Sequence, residues 1–178
     1  MSGVVLEQPS LARLPEYAAA LRRGWSPSTT RDLSGEHLGK IGQDAAGFVA
    51  ELNRHEGGTT AGPDGLAVER VPTWVFWLWD GAFCGVINLR FRPGTLELPF
   101  HVSGHAGYAV VPWKRRQGIA TRALALLLKE AAVLGLPRLL LTCDQDNEAS
   151  ARVIERNGGV PAGEDMAGKR LFWVPTAG

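Results

Sequence analysis

Val110-Val111-Pro112-Trp113-Lys114-Arg115-Arg116-Gln117-Gly118-Ile119-Ala120 reads as a strand end, a basic turn and the start of a long helix. Upstream, Gly107-Tyr108-Ala109-Val110-Val111 has strand character, and Pro112, lacking an N–H, cannot continue a ladder. From Gly118 to Leu134 the apolar residues Ala120, Ala123, Leu124, Leu127, Leu128, Ala131 and Leu134 recur at helical spacing, with Arg122, Lys129 and Glu130 opposite them. Gly135 and Pro137 end the helix, and Leu139-Leu140-Leu141 follows as the short apolar run of a strand covered on both faces. A β-α-β unit is therefore expected around the turn.

A turn of this shape suits an anion. The N–H groups at a helix start have no intrahelical acceptor, the helix dipole places roughly half a positive charge there, and Gly118 lets a ligand approach the backbone. Arg115 and Arg116 add charge. The orders G-x-x-x-x-G-K-S/T and G-x-G-x-x-G are both missing, which disfavours a nucleoside triphosphate or a dinucleotide. Taken alone, Lys114-Arg115-Arg116 reads equally well as a solvated turn.

Working outward, Val4-Val5-Leu6 reads as a strand, and Ser10 stands before a helical pattern of Leu11, Leu14, Ala18 and Leu21. Gly24 to Gly39 has loop composition, and a second helical pattern runs from about Ile41 to Asn53. His55 to Pro63 is Gly/Thr-rich and is expected to be mobile. The strand formers Trp74 to Trp79 then meet Asp80-Gly81, a strong hairpin signal, with Phe83 to Arg92 as the partner strand. Trp74, Trp77 and Trp79 are expected to pack in the core and on the sheet face, not to form an aromatic box. Past the apolar run, Asp146 or Asn147 caps a helix carrying Ala149, Val153 and Ile154, which leaves through Asn157-Gly158-Gly159; Leu171 to Val174 is the last strand.

The 178 residues fit one domain, 1–178, of α/β class, and 45% hydrophobic with 21% charged residues is ordinary for a globular chain. Nineteen basic residues against eighteen acidic ones leave a charge of +1, far from the excess that nucleic-acid binding usually shows. No apolar stretch is long enough for a bilayer, and the amino terminus lacks a signal-peptide pattern, so a cytoplasmic location and no membrane partner are expected. Cys84 and Cys143 stand singly in apolar runs, and His37, His55, His101 and His105 form no ligand pattern, so neither a disulfide nor a metal is expected. A homodimer stays open.

The six residues Arg115-Arg116-Gln117-Gly118-Ile119-Ala120 fit Q/R-x-x-G-x-G/A, and with the surrounding pattern from about Pro72 to Trp173 the chain resembles the GNAT superfamily of acyl-CoA N-acyltransferases. It looks most like a subgroup of small acetyltransferases with an H-x-G-Y segment, here His105 to Tyr108, and a T-C-D-x-D-N segment, here Thr142 to Asn147. The resemblance implies a mixed, mostly antiparallel central sheet flanked by helices, with a splayed strand pair holding acyl-CoA. It implies acetyl-CoA as cosubstrate, its pyrophosphate held by the N–H groups of Gln117, Gly118, Ile119, Ala120 and Thr121 with Arg115 or Arg116. By the same resemblance the backbone of Val110 and Val111 pairs with the pantetheine arm, and Asn147 and Ser150 contact it; both of these also read as an ordinary helix cap and its first-turn partner.

The implied reaction moves an acetyl group directly to a primary amine, carried by a small molecule or a peptide. Two positions depart from the family. Where many members have a glutamate on the fourth strand, two residues before the Gly-Tyr pair, this chain has His105, a candidate base and equally a hydrogen-bonded structural histidine. Where members often have a tyrosine as thiolate acid, it has Ile154, which leaves Tyr108 as the nearby phenol. Cys143 reads as buried, with direct transfer making a nucleophile unnecessary. The rival from another class is a noncatalytic acyl-CoA-binding module.

Overall fold

The computed structural model describes residues 3–62 and 64–176; Pro63, the last residue of the stretch expected to be mobile, lies outside them. In chain order the elements are β1 (Val5–Glu7), α1 (Leu14–Arg22), α2 (Ser34–Gln43), α3 (Ala45–Leu52), β2 (Gly58–Ala61), β3 (Ala67–Arg70), β4 (Thr73–Trp79) and β5 (Phe83–Arg90). After these come β6 (Ala106–Val110), a 3₁₀ turn at Pro112–Lys114, α4 (Ile119–Val133), β7 (Arg138–Cys143), α5 (Glu148–Arg156), β8 (Val160–Glu164) and β9 (Arg170–Pro175). The strands are ordered β1-β4-β5-β6, β2-β3 and β7-β9-β8. This is the mixed α/β fold with antiparallel sheet and flanking helices that the sequence leads one to expect.

The chain groups into two compact units of interleaved segments. The first takes residues 1–54, 74–88 and 108–123. Its core is aromatic: Tyr17, 1% exposed, stacks on Trp77 with ring centroids 4.8 Å apart and meets Trp25 and Phe83 edge-on. Such pairs add about 0.5–1.5 kcal/mol each beyond the area they bury. The Tyr17 hydroxyl is satisfied by His37 Nδ1 at 2.7 Å, and burial holds the phenol far above its ordinary range. Trp77 and Trp79 are core residues, the latter covered by the Arg13 guanidinium, as the alternating strand pattern implied.

The second unit takes residues 55–73, 89–107 and 124–178. Its buried side chains come from the inner face of α4 (Leu124, Leu127, Leu128, Ala131), from Leu139 and Leu141 of β7, and from Phe172 and Val174 of β9. Leu139 lies opposite Val174 and Leu141 opposite Phe172, so the apolar run of β7 is paired with an apolar strand.

Several local expectations change. Residues 24–39 are not all loop, because α2 begins at Ser34; no residue of this helix is buried, and its glycines and polar groups gave a loop signature. The single helix expected from 41 to 53 is two, broken at Asp44, whose extended backbone leaves its carboxylate to accept from Gly47 N–H at 2.9 Å as the cap of α3. Ser10 does not start α1; its carbonyl closes the preceding turn, and Leu11 is 55% exposed. Within the Gly/Thr-rich stretch, Gly58–Ala61 pairs with Ala67–Arg70 as a hairpin. β8 was not foreseen, since Val160-Pro161-Ala162-Gly163-Glu164 is exposed throughout and carries no apolar period.

One glycine controls how closely β5 and β6 pair. Gly85 has φ +142°, and a Cβ there would overlap Ala109 O and lie 2.9 Å from Val110 Cα. Gly85→Ala is expected to destabilise the protein by about 2–3 kcal/mol through overpacking against backbone, a fall of roughly 4–12 °C in Tm for a chain of this size, read by thermal denaturation. An unchanged Tm would show that the strands can separate without cost.

Candidate functional site

β6 pairs with β5 on one side, through a ladder extended by Val111 N–H to Cys84 O at 2.9 Å. Successive residues of a strand present their backbone groups to opposite sides, so Val110 faces away from β5. Its carbonyl accepts from Arg115 Nε at 3.2 Å, and its N–H has no acceptor among the described residues. Val111 has no such freedom, because its carbonyl also accepts from Lys114 N–H at 3.0 Å. The pairing expected of both valines therefore narrows to Val110: the strand ladder and the 3₁₀ turn occupy Val111.

Beyond the 3₁₀ turn the chain enters α4 through two left-handed residues, Arg116 at φ +61° and Gly118 at φ +76°. For arginine that conformation costs about 1–2 kcal/mol, which the surrounding turn must offset. The N–H groups of Arg116, Gln117, Gly118, Ile119 and Ala120 have no acceptor among the described residues, whereas Arg122 N–H, a turn further on, reaches Gly118 O at 3.0 Å. Arg116, Gln117 and Gly118 are exposed, and the space where a Gly118 side chain would begin is open. A row of unpaired donors at the positive end of a 15-residue helix, with two arginines beside it, attracts a polyanion.

The three basic residues divide the work. Lys114, read in the sequence as part of one charged run, is engaged elsewhere: its ammonium pairs with Asp80 of the β4–β5 turn, with side-chain exposures of 20% and 9%. The Lys114 bond holds the Asp80 carboxyl below its usual range. Burial pushes Lys114 down, but Asp80 and Cys84 together more than offset this and the net shift is upward. Trp113 flanks the pair, with the Arg23 guanidinium over its ring at 3.5 Å.

His105 stands at the head of β6, fully buried. Its N–H donates to Leu140 O at 2.8 Å, and its ring Nδ1 accepts from Leu140 N–H at 2.9 Å, so the imidazole proton resides on Nε2. Burial lowers its pKa, and protonating Nδ1 would break the Leu140 bond as well; the ring is neutral. Leu96 lies beside the ring and favours a proton, yet Nε2 makes no hydrogen bond of good geometry. Tyr108 is half-buried on β6, two residues before Val110 and on the same face.

On α5, Asn147 is the cap: its side-chain oxygen accepts from Ser150 N–H at 3.1 Å, which is the ordinary reading of both residues, and its exposed amide nitrogen stays available. Ile154 is fully buried. Cys143 is buried too, and burial raises its thiol pKa, which disfavours a thiolate nucleophile. Among the described residues no group of three or more His, Cys, Asp or Glu side chains is placed to hold a metal ion, and no helix is long and apolar enough to cross a membrane. The sequence did not reveal Asp80, which its Asp-Gly hairpin role concealed, nor the left-handed Arg116.

Compared with known proteins, residues 48–159 match the model of the acetyltransferase (GNAT) family. No curated protein sequence matches the chain. Similar solved structures include a Salmonella typhimurium acetyl transferase that modifies the N-terminal serine of 50S ribosomal subunit protein L7/L12, at 15% identity and a TM-score of 0.63, over 98% of this chain and 96% of that one. Another is RimL, the ribosomal L7/L12 alpha-N-protein acetyltransferase, at 16% identity and 0.61, over 98% and 91%. The microcin C7 self-immunity acetyltransferase MccE, in complex with acetyl-CoA and AMP, aligns at 16% identity and 0.57, over 98% and 93%. At these identities the likeness is one of fold.

Removing one member of a largely buried ion pair leaves the other unpaired, a loss of about 3–5 kcal/mol in full burial and less for this partly exposed pair. Asp80→Asn is therefore expected to lower stability at neutral pH. Because the folded-state pKa of Asp80 is depressed, the pair's contribution is full above the ordinary value of 3.8 and is lost as pH falls through the depressed one. Denaturant titrations from neutral pH to about pH 3 should show a parent that loses this increment and an Asp80→Asn protein that lacks it throughout. Parallel curves would show that the pair contributes nothing net.

Proposed function

Because the chain belongs to the acetyltransferase (GNAT) family and is an acetyl-CoA-dependent acyltransferase, we propose that it transfers the acetyl group directly to a primary amine of a small molecule or peptide. The observation that carries this reading is the row of unpaired N–H groups from Arg116 to Ala120 at the start of α4. These residues fit a pyrophosphate: Gln117, Gly118, Ile119 and Ala120 offer main-chain donors, Arg115 and Arg116 supply charge, and Thr121, next in the first turn of α4, is a further proposed contact. Val110 pairs with the pantetheine arm as a further strand would. The amide nitrogen of Asn147, with Ser150 beside it, is a further proposed contact. The catalytic domain is taken as the whole of residues 1–178, since each compact unit is assembled from separated stretches of chain. A cytoplasmic location belongs to the same reading, in keeping with two free, buried cysteines.

Acetyl transfer from a thioester needs a neutral amine, a donor for the tetrahedral oxyanion and a proton for the leaving thiolate. The free N–H of Val110 is the proposed oxyanion donor; one preorganised donor is worth roughly 3 kcal/mol in acyl transfer. His105 has its Nδ1 lone pair committed to Leu140, so in this tautomer it is a donor and not the base: its proposed role is to position, through Nε2–H, a water that takes the amine proton and passes it to solvent. Tyr108 is the proposed source of the thiolate's proton. No covalent intermediate is required, in keeping with the raised pKa of Cys143.

A noncatalytic acyl-CoA-binding module is the second reading. It is favoured by Ile154, a core residue at the position of the family's usual acid, and by the sealed His105 ring. Thiol release from acetyl-CoA with a panel of amines separates the two, since a binding module retains CoA affinity without turnover.

Gly118→Glu is expected to abolish CoA binding in calorimetry, whereas Gly118→Ala, which shares the left-handed strain but adds no charge, should weaken it far less. Equal losses would assign the effect to strain, and unchanged affinity in a folded Gly118→Glu protein would sink the site. For His105, Asn is the informative substitution, because its side-chain oxygen can still accept from Leu140 N–H. His105→Asn should fold normally and bind CoA as the parent does, while turnover falls about 10²-fold; parental turnover would make the residue purely structural. Since burial lowers the His105 pKa below its ordinary 6.5, the unfolded chain takes up a proton first as pH falls. Parent stability should decline below about pH 6.5, down through the depressed pKa, and the Asn variant should lose that component.

A further inference from the structure

A cleft of about 280 Å³ lies within the second unit, walled by Leu96, Leu98 and Phe100 of the segment between β5 and β6 and by Leu171 and Trp173 of β9, with Asp165 among its lining residues. The size is just below the roughly 300–1,000 Å³ of sites for drug-sized ligands, which suits a small, slender molecule. Its wall is held in place: Arg92 pairs with Glu69, His101 Nε2 meets Glu69 O at 2.8 Å, and Arg90 Nε donates to Gly104 O at 2.7 Å. Phe100 is 98% exposed and Met166, next to Asp165, is fully exposed, so apolar surface continues outside the cleft. Leu140, which grips His105 by both of its backbone groups, also lines it.

The charge at this site is unbalanced. Asp165 Oδ1 accepts from the N–H groups of Ala167 and Lys169, each at 2.9 Å, closing the turn between β8 and β9. No cationic side chain among the described residues pairs with its carboxylate. The nearby cations are committed elsewhere, Lys169 to Asp144 at 2.9 Å and Arg170 to Glu148 at 3.0 Å. An apolar cleft with one uncompensated carboxylate is complementary to an apolar body carrying a positive charge.

We propose that this cleft binds the acceptor, and that the acceptor is an apolar molecule with two amino groups, one held as an ammonium by Asp165 and the other left to react. The division of roles follows from acid–base chemistry. A carboxylate stabilises the protonated form of the amine it touches and so removes that amine's lone pair from reaction. The acetylated amine is therefore a different one, separated from the first by the apolar segment that Leu96, Leu98 and Trp173 enclose. Calling the ligand an acceptor rests on the acetyl-transfer reading above; its binding does not.

Diaminooctane, n-octylamine and diaminobutane separate the contributions, with acetyl-CoA turnover and calorimetric binding measured in parallel. The parent should prefer diaminooctane over both others. Asp165→Asn keeps the oxygen that closes the turn and loses only the charge, so it should lower kcat/KM for diaminooctane about tenfold, leave n-octylamine unchanged and leave CoA affinity intact. Leu98→Ser should weaken both eight-carbon amines and spare diaminobutane. If no amine is acetylated, calorimetric binding of diaminooctane and n-octylamine that falls in both Asp165→Asn and Leu98→Ser supports the cleft while the acetyl-transfer reading fails, because the single ammonium of n-octylamine then sits at Asp165. Equal effects of Asp165→Asn on kcat/KM for diamine and monoamine, no effect of it on either turnover or binding, or a parent without preference for the long diamine would overturn the proposal.

Discussion

The one-sided pairing of β6 is the constraint on which the cosubstrate site depends. A strand with a neighbour on each side spends all of its backbone groups; β6 has β5 on one side, and the bond from Val111 N–H to Cys84 O fixes which residues face it. Val110 must then face outward with a free N–H. The glycine at position 85 serves the same arrangement, since a side chain there would push the strands apart beside Val110. Packing at one strand edge thus leaves a main-chain donor without an acceptor among the described residues.

The turn after Pro112 accumulates further unsatisfied donors at an energetic cost. Arg116 occupies a left-handed conformation that its side chain disfavours, and five successive N–H groups have no acceptor among the described residues. The stability of the turn comes from its flanks: Lys114 is tied to Asp80, Arg115 reaches back to Val110 O, and Trp113 lies under Arg23. Charge in this segment is divided between anchoring and ligand binding. Positive potential at the helix start comes from the backbone and from Arg115 and Arg116, while Lys114 is neutralised by its partner.

His105, at the head of β6, is tied to β7, the strand that follows the turn and helix. Its backbone N–H and its ring both serve Leu140, so the side chain takes the place of a main-chain acceptor. That role holds the ring in the interior, and burial depresses its pKa. It leaves one ring nitrogen to act, as a donor, and any chemistry assigned to His105 has to pass through Nε2.

Sequence alone determined the parts governed by local period and chain chemistry. The long helix, the apolar strand after it, the Asp80-Gly81 hairpin and a helix cap at Asp146 or Asn147 follow from spacing and from residues with fixed conformational habits, and they stand within a residue or two of where the pattern puts them. The donor-rich turn was legible too, because Pro112 ends the strand and Gly118 opens the helix. Where local signals were weak the reading failed: α2 buries nothing, β8 is exposed along its length, and the β2–β3 hairpin is Gly/Thr-rich at one strand. Only the tertiary structure decided which of Val110 and Val111 keeps a free N–H, that Lys114 belongs to Asp80, that the His105 ring is bound to Leu140, and that Asp165 borders an apolar cleft. Each of these depends on a partner 25 or more residues away, or on the direction a backbone group faces in a sheet, and neither quantity is written in the order of residues along the chain.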